Sequence, residues 1–169
     1  MTAKIIAICG HEGSGKSTSA RFIASALERK GFTTKIISFA TPLKELANVH
    51  MGVDKSNRDK LELFGLDVRR ILGYNVFTNY TMREIEMSKY DYYIIDDLRY
   101  VNELESLHAV DYPTHILKTR TLTSPRSMDD TRLDELLTFM EINNITTITL
   151  PDEYSDLYRF IEKFVELVR

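Results

Sequence analysis

Short apolar runs alternate along the chain with segments whose apolar positions recur every three to four residues. Lys4 to Cys9 (KIIAIC) reads as a buried strand, because nothing polar interrupts it after Lys4. Ser17 to Arg29 follows with Phe22, Ile23, Ala26 and Leu27 along one helical stripe. Gly31 stands just beyond, where glycine commonly ends a helix. Further strands are predicted at Thr34 to Phe39, Tyr92 to Ile95, His115 to Lys118 and Thr146 to Leu150. Pro42 is placed to open a helix over Leu43 to Val49. Thr81 with Glu84, Asn102 with Glu105, and Thr131 with Asp134 have the spacing of capping-box starts. Leu133, Leu136, Leu137 and Met140 then form a core face, with Asp130 and Glu135 expected to cap and orient their helix. The last helix, from about Asp152, turns Leu157, Tyr158, Ile161, Phe164, Val165 and Val168 to one side.

Strands separated by helices imply βαβ units, right-handed crossovers and a three-layer α/β fold around a five-stranded, mostly parallel sheet. At 169 residues, with no linker, repeat or biased tract, the chain is expected to form a single domain over 1–169. Residues from about 52 to 90 are helical by pattern and contain no convincing strand. Such an insertion is expected over the C-terminal edge of the sheet, as a cover for the ligand crevice.

Composition narrows the class. An apolar fraction of 43% is too high for a disordered chain, and no run approaches the ~18 apolar residues of a membrane span. The single cysteine, Cys9, excludes an intramolecular disulfide, is expected to be a small buried strand residue, and suits a reducing cytoplasm. A net charge of −3 argues against a broad nucleic-acid face. Residues 1–128 nevertheless hold 18 basic and 15 acidic groups, whereas residues 129–169 hold 4 and 10. A small anion is therefore expected to meet the first region. His50, His108 and His115 show no metal-ligand spacing with Cys9 or with each other.

Gly10-His11-Glu12-Gly13-Ser14-Gly15-Lys16-Ser17 matches G-x-x-x-x-G-K-[ST] and lies between an apolar strand and an amphipathic helix. Gly10, Gly13 and Gly15 let the backbone curl so that successive amides point at phosphate oxygens. The helix N-terminus adds its dipole, Lys16 brings an ammonium to the β and γ phosphates, and the Ser17 hydroxyl can ligate Mg²⁺. Ser14 and Thr18 join the nucleotide-binding set. His11 and Glu12 occupy variable loop positions and are expected to contribute backbone only. The guanine-recognition pattern N-K-x-D is absent, so a small ATP-dependent kinase is a better expectation than a GTPase switch.

Several further stations resemble, in order, the deoxynucleoside monophosphate kinases of tailed bacteriophages. Phe39-Ala40-Thr41-Pro42-Leu43-Lys44-Glu45 is similar to the family's F-A-D-P-L-K segment. Leu63-Phe64-Gly65 through Arg70 is similar to L-x-x-L-G-T-x-x-x-R, with Arg70 on the arginine. Ile95-Asp96-Asp97-Leu98-Arg99-Tyr100-Val101-Asn102-Glu103 resembles I-x-D-V-R-F-x-N-E, the more discriminating station. Arg120 ends the next strand where the family carries an arginine, and Asp130 to Glu135 looks like a degraded D-x-H-x-S-E. Thr41 replaces an aspartate, Leu66 a threonine, Phe77 a tryptophan, and Arg132 and Asp134 a histidine and a serine. These departures fall on the acceptor and lid side.

The resemblance implies a P-loop kinase fold with a helical acceptor-binding insertion and a lid over about 120–132. It implies transfer of the ATP γ-phosphoryl group to a (deoxy)nucleoside monophosphate with Mg²⁺, by a cytoplasmic enzyme (in the host's cytoplasm if phage-encoded). Partners are expected to be small substrates only, with neither nucleic acid nor membrane, and the protein a monomer or homodimer. Asp97, at a strand end, is expected to hold the metal together with Ser17, while strand alternation sends Asp96 the other way. Lys44, Arg99 and one of the adjacent Arg69 and Arg70, with Arg70 preferred from the resemblance, are the candidate ligands of the acceptor phosphate, for which a planar guanidinium is suited. Asn102 and Glu103 read as helix-start residues. Arg120 is counted with the nucleotide, and Arg126 and Arg132 with the closing lid, where an arginine can stabilise the transferring group and a lid excludes water. Two other readings stay open: a kinase for another small acceptor such as dephospho-coenzyme A, and a nucleotide-binding regulator without transfer.

Overall fold

A computed structural model describes residues 3–54, 57–119 and 128–169. Five strands, β1 (Lys4–Cys9), β2 (Thr34–Ile37), β3 (Tyr92–Leu98), β4 (Thr114–Thr119) and β5 (Thr147–Leu150), form one sheet in the order β2-β3-β1-β4-β5. Every pairing is parallel. The helices are α1 (Lys16–Arg29), α2 (Thr41–Glu45), α3 (Arg58–Leu72), α4 (Val76–Met87), α5 (Val101–His108), α6 (Met128–Ile142) and α7 (Tyr154–Val168).

Two cores flank the sheet, as expected when a parallel sheet is covered on both faces. On one face Ile6, Ile8, Tyr92 and Ile94 meet Ala20, Ile23 and Leu27 of α1 and Leu157, Ile161, Phe164 and Val165 of α7. On the other, Ile5, Ala7, Tyr93 and Ile95 meet Met82 and Ile85 of α4, Leu104 and Leu107 of α5, and Leu133, Leu136 and Met140 of α6. Cys9 is fully buried there. A third, small cluster of Leu43, Val68 and Phe77 ties α2, α3 and α4 together, so the insertion has a core of its own.

Four local expectations differ from the fold. Thr81 does not start a helix: α4 already begins at Val76, and Thr81 lies buried in its middle. Likewise α6 begins at Met128, which places Thr131 within the helix. The helix over Leu43 to Val49 is instead α2 followed by a π-helical turn over Leu46–His50. Tyr158 leaves the core face of α7 and lies exposed beneath the Arg29 guanidinium, 6.0 Å from its ring centre. In the first case tertiary burial overrode a local capping signal, whereas Thr131 is exposed on its helix.

β3 carries one irregularity that matters for the site. Ala7 pairs with Ile95 and Cys9 with Leu98, so three steps along β3 match two along β1. This bulge at Asp96-Asp97 puts Leu98 on the same face as Ile95 and breaks simple alternation at the strand end.

Candidate functional site

The loop from β1 to α1 is held open by its own geometry. Gly10 has φ +150°, and a Cβ built there would lie 1.8 Å from Thr119 Oγ1 at the end of β4. Gly15 takes φ +85° immediately before α1, a left-handed conformation that glycine adopts without steric penalty. The Ser14 hydroxyl lies 2.6 Å from the His11 carbonyl, to which it donates, and 2.6 Å from Thr119 Oγ1. Ser14 and Thr119 thus stitch the loop to the neighbouring strand through side chains. Nothing in the sequence pattern of β4 singled out Thr119, since its role arises only from strand adjacency.

Lys16 is buried, and its ammonium donates to the carbonyls of Gly10 (2.8 Å) and His11 (2.6 Å). Burial lowers its pKa to about 8, the nearby Arg99 guanidinium adds to the fall, and Asp97 and Asp96 oppose it. Ser17, exposed in the first turn of α1, donates to Asp96 Oδ2 at 2.7 Å, while the Ser38 hydroxyl donates to Asp96 Oδ1. Thr18 follows in the same turn.

The two aspartates of β3 have therefore exchanged their expected places. Asp96 shares its face with Tyr92 and Ile94, the face that α1 covers, and so reaches Ser17. Asp97 points to the other side, where its oxygens accept the amides of Phe39 (2.8 Å) and Ala40 (2.9 Å) just before α2. The expectation of Asp97 beside Ser17 is corrected accordingly. Strand alternation separates the pair, but which face carries α1 is decided by packing. Burial raises the Asp97 pKa, as does the neighbouring Asp96, whereas the two amides and Arg99 favour its charge. Beneath it, buried Glu103 accepts the amides of Arg99 (2.9 Å) and Tyr100 (3.0 Å) and closes the turn into α5. Its pKa is pushed up to about 8, chiefly by burial and then by Asp97. Asn102 donates to Asn75 Oδ1 (2.8 Å) and to Thr78 Oγ1 (3.2 Å), which joins α5 to α4. Glu103 thus makes the connection of a helix-start residue, whereas the capping start expected of Asn102 with Glu105 does not form, because Tyr100 is the N-cap and Asn102 lies inside the first turn.

The basic residues of the acceptor side divide sharply. Lys44 and Arg70 are exposed on α2 and α3. Arg69, the less favoured member of the Arg69-Arg70 pair, is half-buried, with its guanidinium 4.9 Å from the Phe77 ring centre and 4.5 Å from that of Tyr100. Such cation–π contacts contribute roughly 0.5–2 kcal/mol each. Gly65, one turn earlier, leaves the room: a Cβ there would lie 3.3 Å from an Arg69 nitrogen and 2.9 Å from Leu43. Arg132 of α6 lies 5.8 Å from the Tyr100 ring centre and 3.6 Å from Glu135. Arg120 and Arg126 fall outside the described residues.

A parallel sheet in this order, with a glycine-rich loop carrying Lys16 and Ser17 from the central strand into a helix, defines the P-loop NTPase fold. A search of solved structures found the same architecture in a protein from Chloroflexus aurantiacus J-10-fl, described as a "putative kinase". That likeness has a TM-score of 0.56 at 11% identity and covers 99% of this chain and 96% of the other. A gluconokinase from Sinorhizobium meliloti 1021 matches with a TM-score of 0.45 at 12% identity, covering 99% and 93%. A scan against protein-family models and a search of curated proteins each found no match. Among the described residues no helix is long and apolar enough to cross a membrane.

Proposed function

We propose that the protein is an ATP-dependent kinase whose acceptor is a nucleoside monophosphate, with a deoxynucleotide preferred. The observation that carries this reading is a P-loop whose Lys16 and Ser17 lie beside Arg99 and Asp96, with the guanidinium groups of Arg69 and Arg132 over the ring of Tyr100, the residue after Arg99. A donor site for polyphosphate and a cluster of guanidinium groups for a second anion are what phosphoryl transfer between two nucleotides requires. The shared fold with a protein described as a kinase supports the reaction class, and the ordered resemblance to phage kinases supports the acceptor class.

In this reading the loop amides around Gly13 and Gly15 cradle the ATP phosphates. Lys16 leaves the Gly10 and His11 carbonyls for the β and γ oxygens. An oxygen of the acceptor phosphate attacks the γ-phosphorus, the bond to the β–γ bridging oxygen breaks, and ADP leaves with that electron pair. Ser17 and Asp96, two hard oxygen ligands 2.7 Å apart, suit Mg²⁺ and are the residues that would hold it. The ion would neutralise charge on the donor phosphates. Asp97 becomes a positioning residue that fixes the turn into α2. Arg99 and Arg69 contact the acceptor phosphate, with Arg70 and Lys44 at its exposed rim. Arg120, Arg126 and Arg132 close over the transferring group, Arg120 on the family resemblance and Arg126 on its place in the sequence between β4 and α6.

A coupled ADP-release assay with ATP and Mg²⁺ over the four deoxynucleoside monophosphates and their ribose counterparts tests this directly. Turnover on a subset, reduced about 10³-fold in Lys16→Ala, is the expected result. ATP binding by calorimetry without turnover on any nucleoside monophosphate would overturn it. Turnover on dephospho-coenzyme A instead would keep the kinase and replace its acceptor.

A further inference from the structure

Tyr100 follows Arg99 and immediately precedes α5, in extended backbone with φ −109° and ψ 147°. Its amide donates to Glu103 at 3.0 Å, which fixes the backbone from which its ring projects. That ring has three neighbours from three different parts of the chain: Arg69 of α3 at 4.5 Å, Arg132 of α6 at 5.8 Å, and the edge of Tyr74, between α3 and α4, at 6.5 Å. Among the described residues Arg69 has no ion pair; the rings of Phe77 and Tyr100 lie against its guanidinium, and the Glu103 carboxyl attracts it from further away. A cation–π contact, unlike an ion pair, uses no carboxylate, so N–H donors of the guanidinium remain for another acceptor. A planar donor fork fixed in this way is suited to a phosphate or carboxylate, which it can meet in bidentate fashion without first losing side-chain freedom.

We propose that Tyr100 is the positioning residue of the acceptor side, its ring setting Arg69 and Arg132 for the phosphate of the incoming nucleotide. The proposal rests on the kinase reading and deepens it. It links the helical insertion, through α3, to α6, which leads out of the 120–132 segment. It also makes Arg69, rather than Arg70, the arginine of α3 on which acceptor affinity depends. The ring, and not the phenolic hydroxyl, is the working part.

Tyr100→Leu and Tyr100→Phe are compared with the intact enzyme. The expected result is an acceptor KM raised about tenfold in Tyr100→Leu, with ATP KM within twofold and the thermal midpoint within a few degrees. Tyr100→Phe restores every parameter to within twofold. An equal rise in both KM values, no rise in either, or the same loss in Tyr100→Phe would overturn the proposal. A readout independent of turnover separates its failure from failure of the kinase reading. In a Lys16→Ala background, which weakens the donor side, inorganic phosphate and each deoxynucleoside monophosphate are titrated while the Arg Nε–Hε NMR signals are followed. Arg69 and Arg132 signals should be ring-shifted, move with ligand, and lose both properties in Tyr100→Leu. Signals that phosphate and nucleotide leave unmoved in the presence of Tyr100 would reject the inference even in an active kinase. Movement in a protein that transfers nothing would preserve the anion site and reject the reaction.

Discussion

The donor and acceptor halves of the site are built by different means. Around the P-loop, Ser14, Lys16, Ser17 and Asp96 are each tied by hydrogen bonds of 2.6 to 2.8 Å to the loop, to each other or to β4. The insertion that faces it relies on a small core of Leu43, Val68 and Phe77 and on aromatic contacts. It also exposes Val49, Met51, Leu63, Ile71 and Leu72 to more than half their full extent. A loop that must present several amides to a highly charged phosphate chain gains from being rigid before the ligand arrives. In the proposed kinase, a region that admits and then encloses a second substrate would not be equally fixed before that substrate binds. Directional bonds thus mark the preorganised half, and non-directional contacts mark the adaptable one.

Substitutions can break this contrast, starting where it is strongest. Gly10→Ala sets a methyl against Thr119 Oγ1 in a backbone conformation that L-residues rarely adopt, so the loop must shift. ATP affinity should fall at least about 100-fold, or ~2.7 kcal/mol, by calorimetry, while the domain still melts cooperatively. Normal ATP binding by that variant would show that the donor loop is as adaptable as the insertion.

A gentler probe is the proton on Lys16. With a pKa near 8 in the free protein, Lys16 is about half protonated at pH 8, and phosphate contacts should restore its charge. ATP binding at pH 8 should therefore take up roughly half a proton, measured from calorimetric enthalpies in buffers of different ionisation heat. The uptake should vanish in Lys16→Met and shrink towards zero at pH 6. Acceptor binding to Arg69 and Arg99 should show no matching uptake, because arginine stays charged throughout.

The smallest expected effect lies at the seam between the halves. Glu103 has a raised pKa, so the folded state binds its proton more tightly than the unfolded state does. Its contribution to stability is fully present below the unfolded value of 4.5 and is lost as pH rises through about 8. Glu103→Gln keeps an oxygen for the Arg99 and Tyr100 amides and removes the titration. Its thermal midpoint should fall less between pH 5.5 and 8 than that of the natural protein, by several °C. An unchanged slope would assign the pH dependence to another group.

Where the sequence alone was sufficient, one local pattern decided the outcome. All five strands were readable because each is a compact apolar run between helical segments, and the loop from Gly10 to Ser17 was readable because its chemistry is contiguous. The helical character of the insertion was evident from its periodicity, and Glu103 from its place at a helix start. Tertiary structure decided whatever depended on which element lies beside which. Alternation separated Asp96 from Asp97 but could not say which face α1 covers, and so the wrong carboxylate was paired with Ser17. Thr119 matters only because β4 adjoins β1, and Arg69 differs from Arg70 only because Phe77 and Tyr100 flank one side of α3. A side chain's type and period are written along one dimension. Its partner is set by packing two faces of a sheet and three helices that the chain order alone leaves unoriented.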